Sequence, residues 1–189
     1  KVIKIDDFTL SNGSKTQAVV IESDGEMARD ESLAAPVVTS ADELVEAIRK
    51  SGVVGLGGAG FPTYVKFKVD LARVEALIIN CAECEPYITS DSYSMMERTQ
   101  DMEYALVKIK EHFGIKKIII GIEENKKRSI ACMRELANQI EGVEVKVLPS
   151  KYPQGGEKVL VYHTTKKVIP TGKLPIDVGC IVINCTTLA

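Results

Sequence analysis

Apolar positions follow two rhythms along the chain. Short apolar runs bounded by turn residues stand at Ala76–Asn80, Lys117–Gly121, Val143–Leu148 and Cys180–Asn184, the pattern of strands in a sheet covered on its faces. Helical spacing fills the intervals. Leu44, Val45, Ala47 and Ile48 mark one face of a helix that Ser40-Ala-Asp-Glu43 opens as a capping box and Gly52 ends. Ser90–Phe113 reads as one long helix stopped by Gly114, Glu124–Ile140 as an amphipathic helix, and Gly155–Thr165 as another. Strands alternating with helices predict an α/β fold, a parallel sheet of about four strands flanked by helices over residues 37–189. Residues 1–36 are different: Lys1–Ile5 and Gln17–Glu22 read as strands, Asn12-Gly13 between them is a hairpin signal, and Asp24–Pro36 is a polar linker. Two strands cannot make a stable unit alone, so this hairpin is expected to be the end of a truncated β domain.

Composition narrows the class. The chain has 189 residues, 45% hydrophobic and 26% charged, with a net charge of −2. That excludes a disordered chain and argues against nucleic acid as the partner. No apolar run reaches the ~20 residues that span a bilayer. Both ends look cut, with Lys1 inside a strand-like stretch and Ala189 just past an apolar run, so an excised piece of a longer protein is expected. The five cysteines, Cys81, Cys84, Cys132, Cys180 and Cys185, are odd in number and irregularly spaced, a poor disulfide framework that suits a reducing cytosol. One Cys-x-x-Cys falls short of the four ligands of structural zinc or an iron–sulfur cluster, so no metal site is expected within this chain.

Ligands of parallel sheets bind at the carboxyl ends of the strands, and four segments carry candidate chemistry. Gly55-x-Gly57-x-x-Gly60 lacks the strand that a dinucleotide fingerprint follows, and no Lys-Ser/Thr follows it to make a P-loop. Gly57, Gly58 and Gly60 lack Cβ, so a flat ring or phosphate could lie on the backbone. The helix opening at Pro62 offers free N–H groups, and Lys66 a charge. A tight turn packed on the sheet accounts for the same glycines. In Asn80-Cys-Ala-Glu-Cys-Glu-Pro86, Asn80, Glu83 and Glu85 could hydrogen-bond a ring edge or ribose hydroxyls. Its Cys81 and Cys84 invite a thiol-oxidoreductase reading, which the flanking carboxylates oppose by disfavouring the thiolate. Tyr152-Pro-Gln-Gly-Gly-Glu157 opens a helix with an acid in its first turn, and Asn184-Cys-Thr-Thr187 is another polar strand end. Lys126-Lys127-Arg128 reads as a solvated helix face, and His163 as structural.

In this order the four segments resemble one family, the C subunits of Rnf ion-translocating ferredoxin:NAD oxidoreductases, which are related to the flavin-bearing 51 kDa subunit of respiratory complex I. The resemblance covers about residues 40–189 and implies a Rossmann-like domain with FMN and NADH in one pocket. By motif position, Gly55, Gly57, Gly58, Lys66, Asn80, Tyr152 and Asn184 would hold the flavin, and Phe61, Glu85 and Glu157 would face the nicotinamide nucleotide, with Gly60, Glu83 and Gly155 completing the site. No catalytic acid or base is implied, since flavin carries the redox chemistry. The resemblance further implies 4Fe-4S clusters in a missing C-terminal part, partner subunits of an electron-transfer complex, and a cytoplasmic location, peripheral on the membrane through those partners. Ala82 and Gly156 stand where complex I relatives carry acids, which thins the polar shell around the flavin. Cys81 is unusual for the Rnf form and hints at a soluble relative, serving cobalamin or amino-acid reduction. A flavin-free adaptor domain is the competing expectation.

Overall fold

The structure, a computed structural model, describes residues 1–28, 30–56 and 60–189. It divides into two units, 1–37 and 38–189. In the first, β1 (Val2–Thr9) pairs antiparallel with β2 (Lys15–Ile21). The turn closes because Asn12 Oδ1 accepts from the Ser14 backbone N–H at 3.0 Å and Gly13 takes a φ of +82°, a conformation costly for a residue with Cβ. Val2, Ile5, Phe8, Val19 and Ile21 are exposed along this hairpin.

The second unit is built on a four-stranded parallel sheet. Its strands are β3 (Ala76–Cys81), β4 (Ile118–Glu123), β5 (Val143–Leu148) and β6 (Cys180–Asn184), in the order β5-β4-β3-β6. Ile78 lies opposite Ile119 on one side and Val182 on the other. β3, β4 and β6 are covered on both faces, which is why their runs are almost wholly apolar, whereas the edge strand β5 alternates with exposed Glu144 and Lys146. Leu77, Ile79, Cys81, Ile118, Ile120 and Ile122 belong to the larger core. Ile78 and Val182 instead join Leu148, Leu160 and Val161 in the smaller one.

Seven helices among the described residues surround the sheet. They are α1 (Ala41–Ser51), α2 (Thr63–Phe67), α3 (Ser90–Glu97), α4 (Thr99–Phe113), α5 (Lys127–Gln139), α6 (Glu157–Thr165) and α7 (Cys185–Leu188). At α1 the Ser40 hydroxyl accepts from Glu43 N–H at 3.3 Å, while the Glu43 carboxylate reaches Thr39 N–H at 2.7 Å, one residue beyond the expected box. Two further differences stand out. The expected single helix over 90–113 breaks at Arg98 (φ −118°, ψ 28°), where the Thr99 hydroxyl donates to the Met95 carbonyl at 2.7 Å, a local bond that competes with the helical ladder. The one-turn α7 was not foreseen. It forms because Asn184 caps it, its Oδ1 accepting from Thr186 and Thr187 N–H at 2.9 and 3.3 Å.

Candidate functional site at the carboxyl edge of the sheet

The sheet register places Asn80 beside Gly121 on β4 and Asn184 on β6. The Asn80 amide donates to the Gly155 carbonyl at 2.9 Å, and its Oδ1 accepts from Ala82 N–H at 3.1 Å. Gly155 N–H in turn points at Cys84 Sγ, 2.7 Å away. A Cβ at Gly155 would stand 2.6 Å from the Ala82 carbonyl oxygen. The second and third motif segments therefore lock together through the Asn80 and Cys84 side chains, with the Gly155 backbone pressed against the Ala82 carbonyl, and only glycine fits the lock.

The first and fourth segments meet on the β6 side. Val54 and Pro62 form an isolated bridge, and Gly55 N–H donates to the Phe61 carbonyl at 2.8 Å. Leu56 N–H then donates to the Thr187 hydroxyl at 2.9 Å. Gly60 sits at φ +66° and Phe61 is exposed. Gly57 and Gly58 lie outside the described residues. Lys66 joins the first segment to the third: its ammonium donates to the Val182 carbonyl at 2.7 Å and pairs with Glu157 at 3.3 Å. Its charge also lies 5.9 Å from the Phe61 ring centroid.

A buried polar chain runs beneath these groups. Glu83, with a side chain only 2% exposed, pairs with Lys126 at 2.6 Å by charge, without the alignment of a hydrogen bond at that oxygen. Its other oxygen accepts from Asp91 N–H at 2.9 Å. Asp91 accepts from the Asn184 amide at 2.9 Å and the Thr186 hydroxyl at 3.0 Å. Burial pushes the Asp91 carboxyl above its ordinary value, against the hydrogen bonds from Asn184 and Thr186. Glu123 is buried beside Glu83 and is likewise pushed up by burial, against a hydrogen bond from the Glu83 backbone and the charge of Lys126. The reading of Lys126 as part of a solvated run is thus corrected: Lys127 and Arg128 are exposed, but Lys126 turns inward to a carboxylate that would otherwise be unpaired.

A cavity of about 230 Å³ opens over the ends of β3, β4 and β5. Glu83, Glu85, Tyr87, Glu123, Lys126 and Tyr152 line it, with Glu85, Tyr87 and Tyr152 exposed at its mouth. Gln154 is buried; its Oε1 contacts His163 Nδ1 at 2.8 Å while its Nε2 has no partner, and the buried Thr63 hydroxyl has none either. Sequence reasoning named neither as a site residue, nor Asp91, Glu123 or Lys126. Gln154 had the signal of its place between Tyr152 and Gly155. For the thiol reading, burial pushes the Cys81 thiol well up, with Cys185, Asp91 and Glu83 acting in the same direction, the opposite of a reactive cysteine.

A parallel α/β sheet that gathers a glycine turn, a lysine and two asparagines at its carboxyl edge is a ligand-binding domain of the Rossmann-like class. Residues 48–189 match the model of the Nuo51 FMN-binding domain, and the chain belongs to that family. It is 39% identical over 196 residues to the C subunit of the proton-translocating ferredoxin:NAD(+) oxidoreductase complex of Clostridium ljungdahlii, covering 99% of this chain and 42% of that one. It is 38% identical over 194 residues to the C subunit of the Na(+)-translocating complex of Acetobacterium woodii, covering 100% and 44%. The C subunit of the ion-translocating oxidoreductase complex of Vibrio cholerae is 42% identical over 147 residues, 78% of this chain and 19% of its own length. The chain thus spans less than half the length of these relatives. A crystal structure of an air-oxidised NAD+-reducing [NiFe]-hydrogenase shares the fold, with a TM-score of 0.64 at 21% identity over 79% of this chain and 29% of that one. The resemblance drawn from the four ordered segments is borne out by these relatives. Among the described residues, no helix is long and apolar enough to cross a membrane.

Proposed function

We propose that the chain is the flavin-binding part of an electron-transfer subunit that oxidises NADH. The observation that carries this reading is the convergence of all four motif segments on one edge of the sheet, through Asn80–Gly155, Leu56–Thr187 and Lys66–Glu157. The donor set fits FMN. The Lys66 ammonium has a third N–H beyond those given to Val182 and Glu157, suited to a phosphate. Gln154 Nε2 and the Thr63 hydroxyl are buried without protein partners, and such groups call for a ligand or water.

FMN, if bound there, would supply the chemistry of taking a hydride from a reduced nicotinamide and releasing single electrons. The protein's part is placement. Lys66 and the glycine segment would hold the cofactor, with Gly55 and Gly60 leaving backbone within reach, while Asn80, Asn184 and Gly155 fix the strand ends around it through their bonds inside the protein. Phe61, Glu85 and Glu157 border the approach of the nucleotide and Tyr152 the flavin, the exposed aromatic faces offering stacking surface. The onward electron acceptors would be 4Fe-4S clusters in a ferredoxin-like part of the longer protein, with partner subunits holding it at the inner face of the cell membrane. Residues 1–36 close a preceding β domain. The test is FMN titration of the full-length protein by flavin fluorescence, followed by anaerobic NADH. Quenching with saturation, then bleaching of the flavin absorption, is expected. Absence of FMN binding overturns the reading in favour of a flavin-free adaptor, and binding without bleaching overturns the NADH assignment.

A further inference from the structure

We infer that Lys126 is a positioning residue of the flavin site, acting through Glu83 and Asp91 on Asn184. The inference rests on the flavin reading above and adds a residue that lies in none of the four motif segments.

Each link is a close polar contact. Lys126, the residue before α5, pairs with Glu83 Oε2 at 2.6 Å. Glu83 Oε1 takes the Asp91 N–H at 2.9 Å, at the start of α3. Asp91 Oδ2 takes the Asn184 amide at 2.9 Å, and its Oδ1 the Thr186 hydroxyl at 3.0 Å. Thr186 also contacts the Ser94 hydroxyl at 2.8 Å. Asn184 caps α7, and the Thr187 hydroxyl at the same turn receives the Leu56 N–H of the glycine segment. The chain of contacts therefore runs from the β4–α5 turn, beneath the ends of β3 and β6, to the loop assigned to the flavin.

The charges make Lys126 the keystone of that chain. Three carboxylates, Glu83, Glu123 and Asp91, lie buried or half-buried here, and the Lys126 side chain, 16% exposed, is the cation that pairs among them. A nearly buried carboxylate that loses its cation is left uncompensated and either takes a proton or turns to water. In either case Glu83 no longer holds Asp91 N–H as an anionic acceptor, and the orientation of the Asn184 amide loses its support. A brace serving only the packing of α5 would not be coupled to the far strand end.

The experiment uses the full-length protein and the variants K126M, K126R and K127M, with Lys127 as the exposed neighbour. Two quantities are read beside the melting temperature: hydrogen–deuterium exchange of the peptide carrying the Asp91 amide, and FMN affinity by fluorescence quenching. K126M is expected to speed exchange at that peptide and to weaken FMN by about ten-fold, the loss of roughly one net hydrogen bond. K126R is expected to restore both, and K127M to change neither. Should K126M not fold, K126Q keeps a donor without the charge, and the same two shifts are expected. Unchanged exchange in the variant refutes the relay. Faster exchange with unchanged FMN affinity refutes the positioning role and leaves a structural brace. If the unmodified protein binds no FMN, the flavin reading fails and takes the positioning role with it, while the exchange data still report whether the relay exists.

Discussion

Gly155 is the sharpest place to test the architecture of the site. Substitution by alanine would put a Cβ 2.6 Å from the Ala82 carbonyl oxygen and 3.0 Å from Cys84 Sγ. The first obstacle is backbone, which cannot rotate away as a side chain can. Relief requires the 154–156 turn and the end of β3 to separate, and two bonds cross that gap: Asn80 amide to Gly155 carbonyl, and Gly155 N–H to Cys84 sulfur. Overpacking alone costs about 1–3 kcal/mol, and weakening two hydrogen bonds adds about 1 kcal/mol. A loss of about 3 kcal/mol corresponds to roughly 6–12 °C in melting temperature for a chain of this size. Gly55→Ala is the matched control, since among the described residues its Cβ would meet the Phe61 backbone at 3.5 and 3.7 Å, ordinary contact. The assay is urea and thermal unfolding of both variants, with FMN affinity measured on the folded fraction. Expected are a destabilised G155A with weakened FMN binding and a G55A melting close to the parent. A G155A protein that melts with the parent would refute the claim that this close approach holds the second and third segments together.

Other perturbations separate the roles of neighbouring groups. Lys66→Met removes a donor to the Val182 carbonyl and a half-exposed pairing with Glu157; stability should fall by only about 1–2 kcal/mol, while FMN affinity, if Lys66 holds the phosphate, should fall about ten- to hundred-fold in fluorescence titration. Burial raises both Asp91 and Glu123 above their ordinary carboxylate values, so between the unfolded and folded values the folded chain binds more protons, and their contribution to stability declines as pH rises through that window. Glu123→Gln, which keeps an acceptor for the Glu83 N–H, should flatten its share of that decline in urea midpoints measured from acid to neutral pH; an unaltered pH slope would contradict the assignment. Gly142→Ala lies just before β5, at the amino end of the sheet opposite the motif segments, and its Cβ would fall 2.1 Å from the Lys116 carbonyl oxygen at a φ of +77°; a loss of about 2–5 kcal/mol is expected in denaturation, with FMN affinity of the folded fraction unchanged.

The parts of this molecule legible in its sequence are those in which one residue's environment follows from its own neighbours. β3, β4 and β6 are covered on both faces, so their apolar runs announce themselves, and the parallel order follows from alternation with helices. Gly52 and Gly114 mark helix ends because each takes a left-handed φ there, +69° and +65°. The convergence of the second, third and fourth segments was legible too, since they follow the ends of β3, β5 and β6, whereas the glycine segment follows α1 and only the family resemblance joined it to them. What sequence does not encode locally is the partner of a polar side chain. Lys126, Lys127 and Arg128 are alike as letters, and two of the three are solvated; the third turns inward because Glu83, on a different strand end, is buried by β3 and α3 and needs a cation. Glu83 shows the same limit from the other side. As a carboxylate at a strand end it reads as an acceptor for a ligand, but both its oxygens are engaged inside the protein, by Lys126 and by Asp91 N–H. Asn184 likewise gives its amide to Asp91 and its oxygen to α7. A motif can therefore be right about where a site lies while leaving open which of its members touch the ligand and which brace those that do. Exposure and remaining hydrogen-bond capacity make that division here: the half-buried Lys66 and the exposed Glu85 and Tyr152 keep hydrogen-bond capacity to spare and Phe61 an exposed ring face, whereas Glu83, Asp91 and Lys126 form the support beneath them.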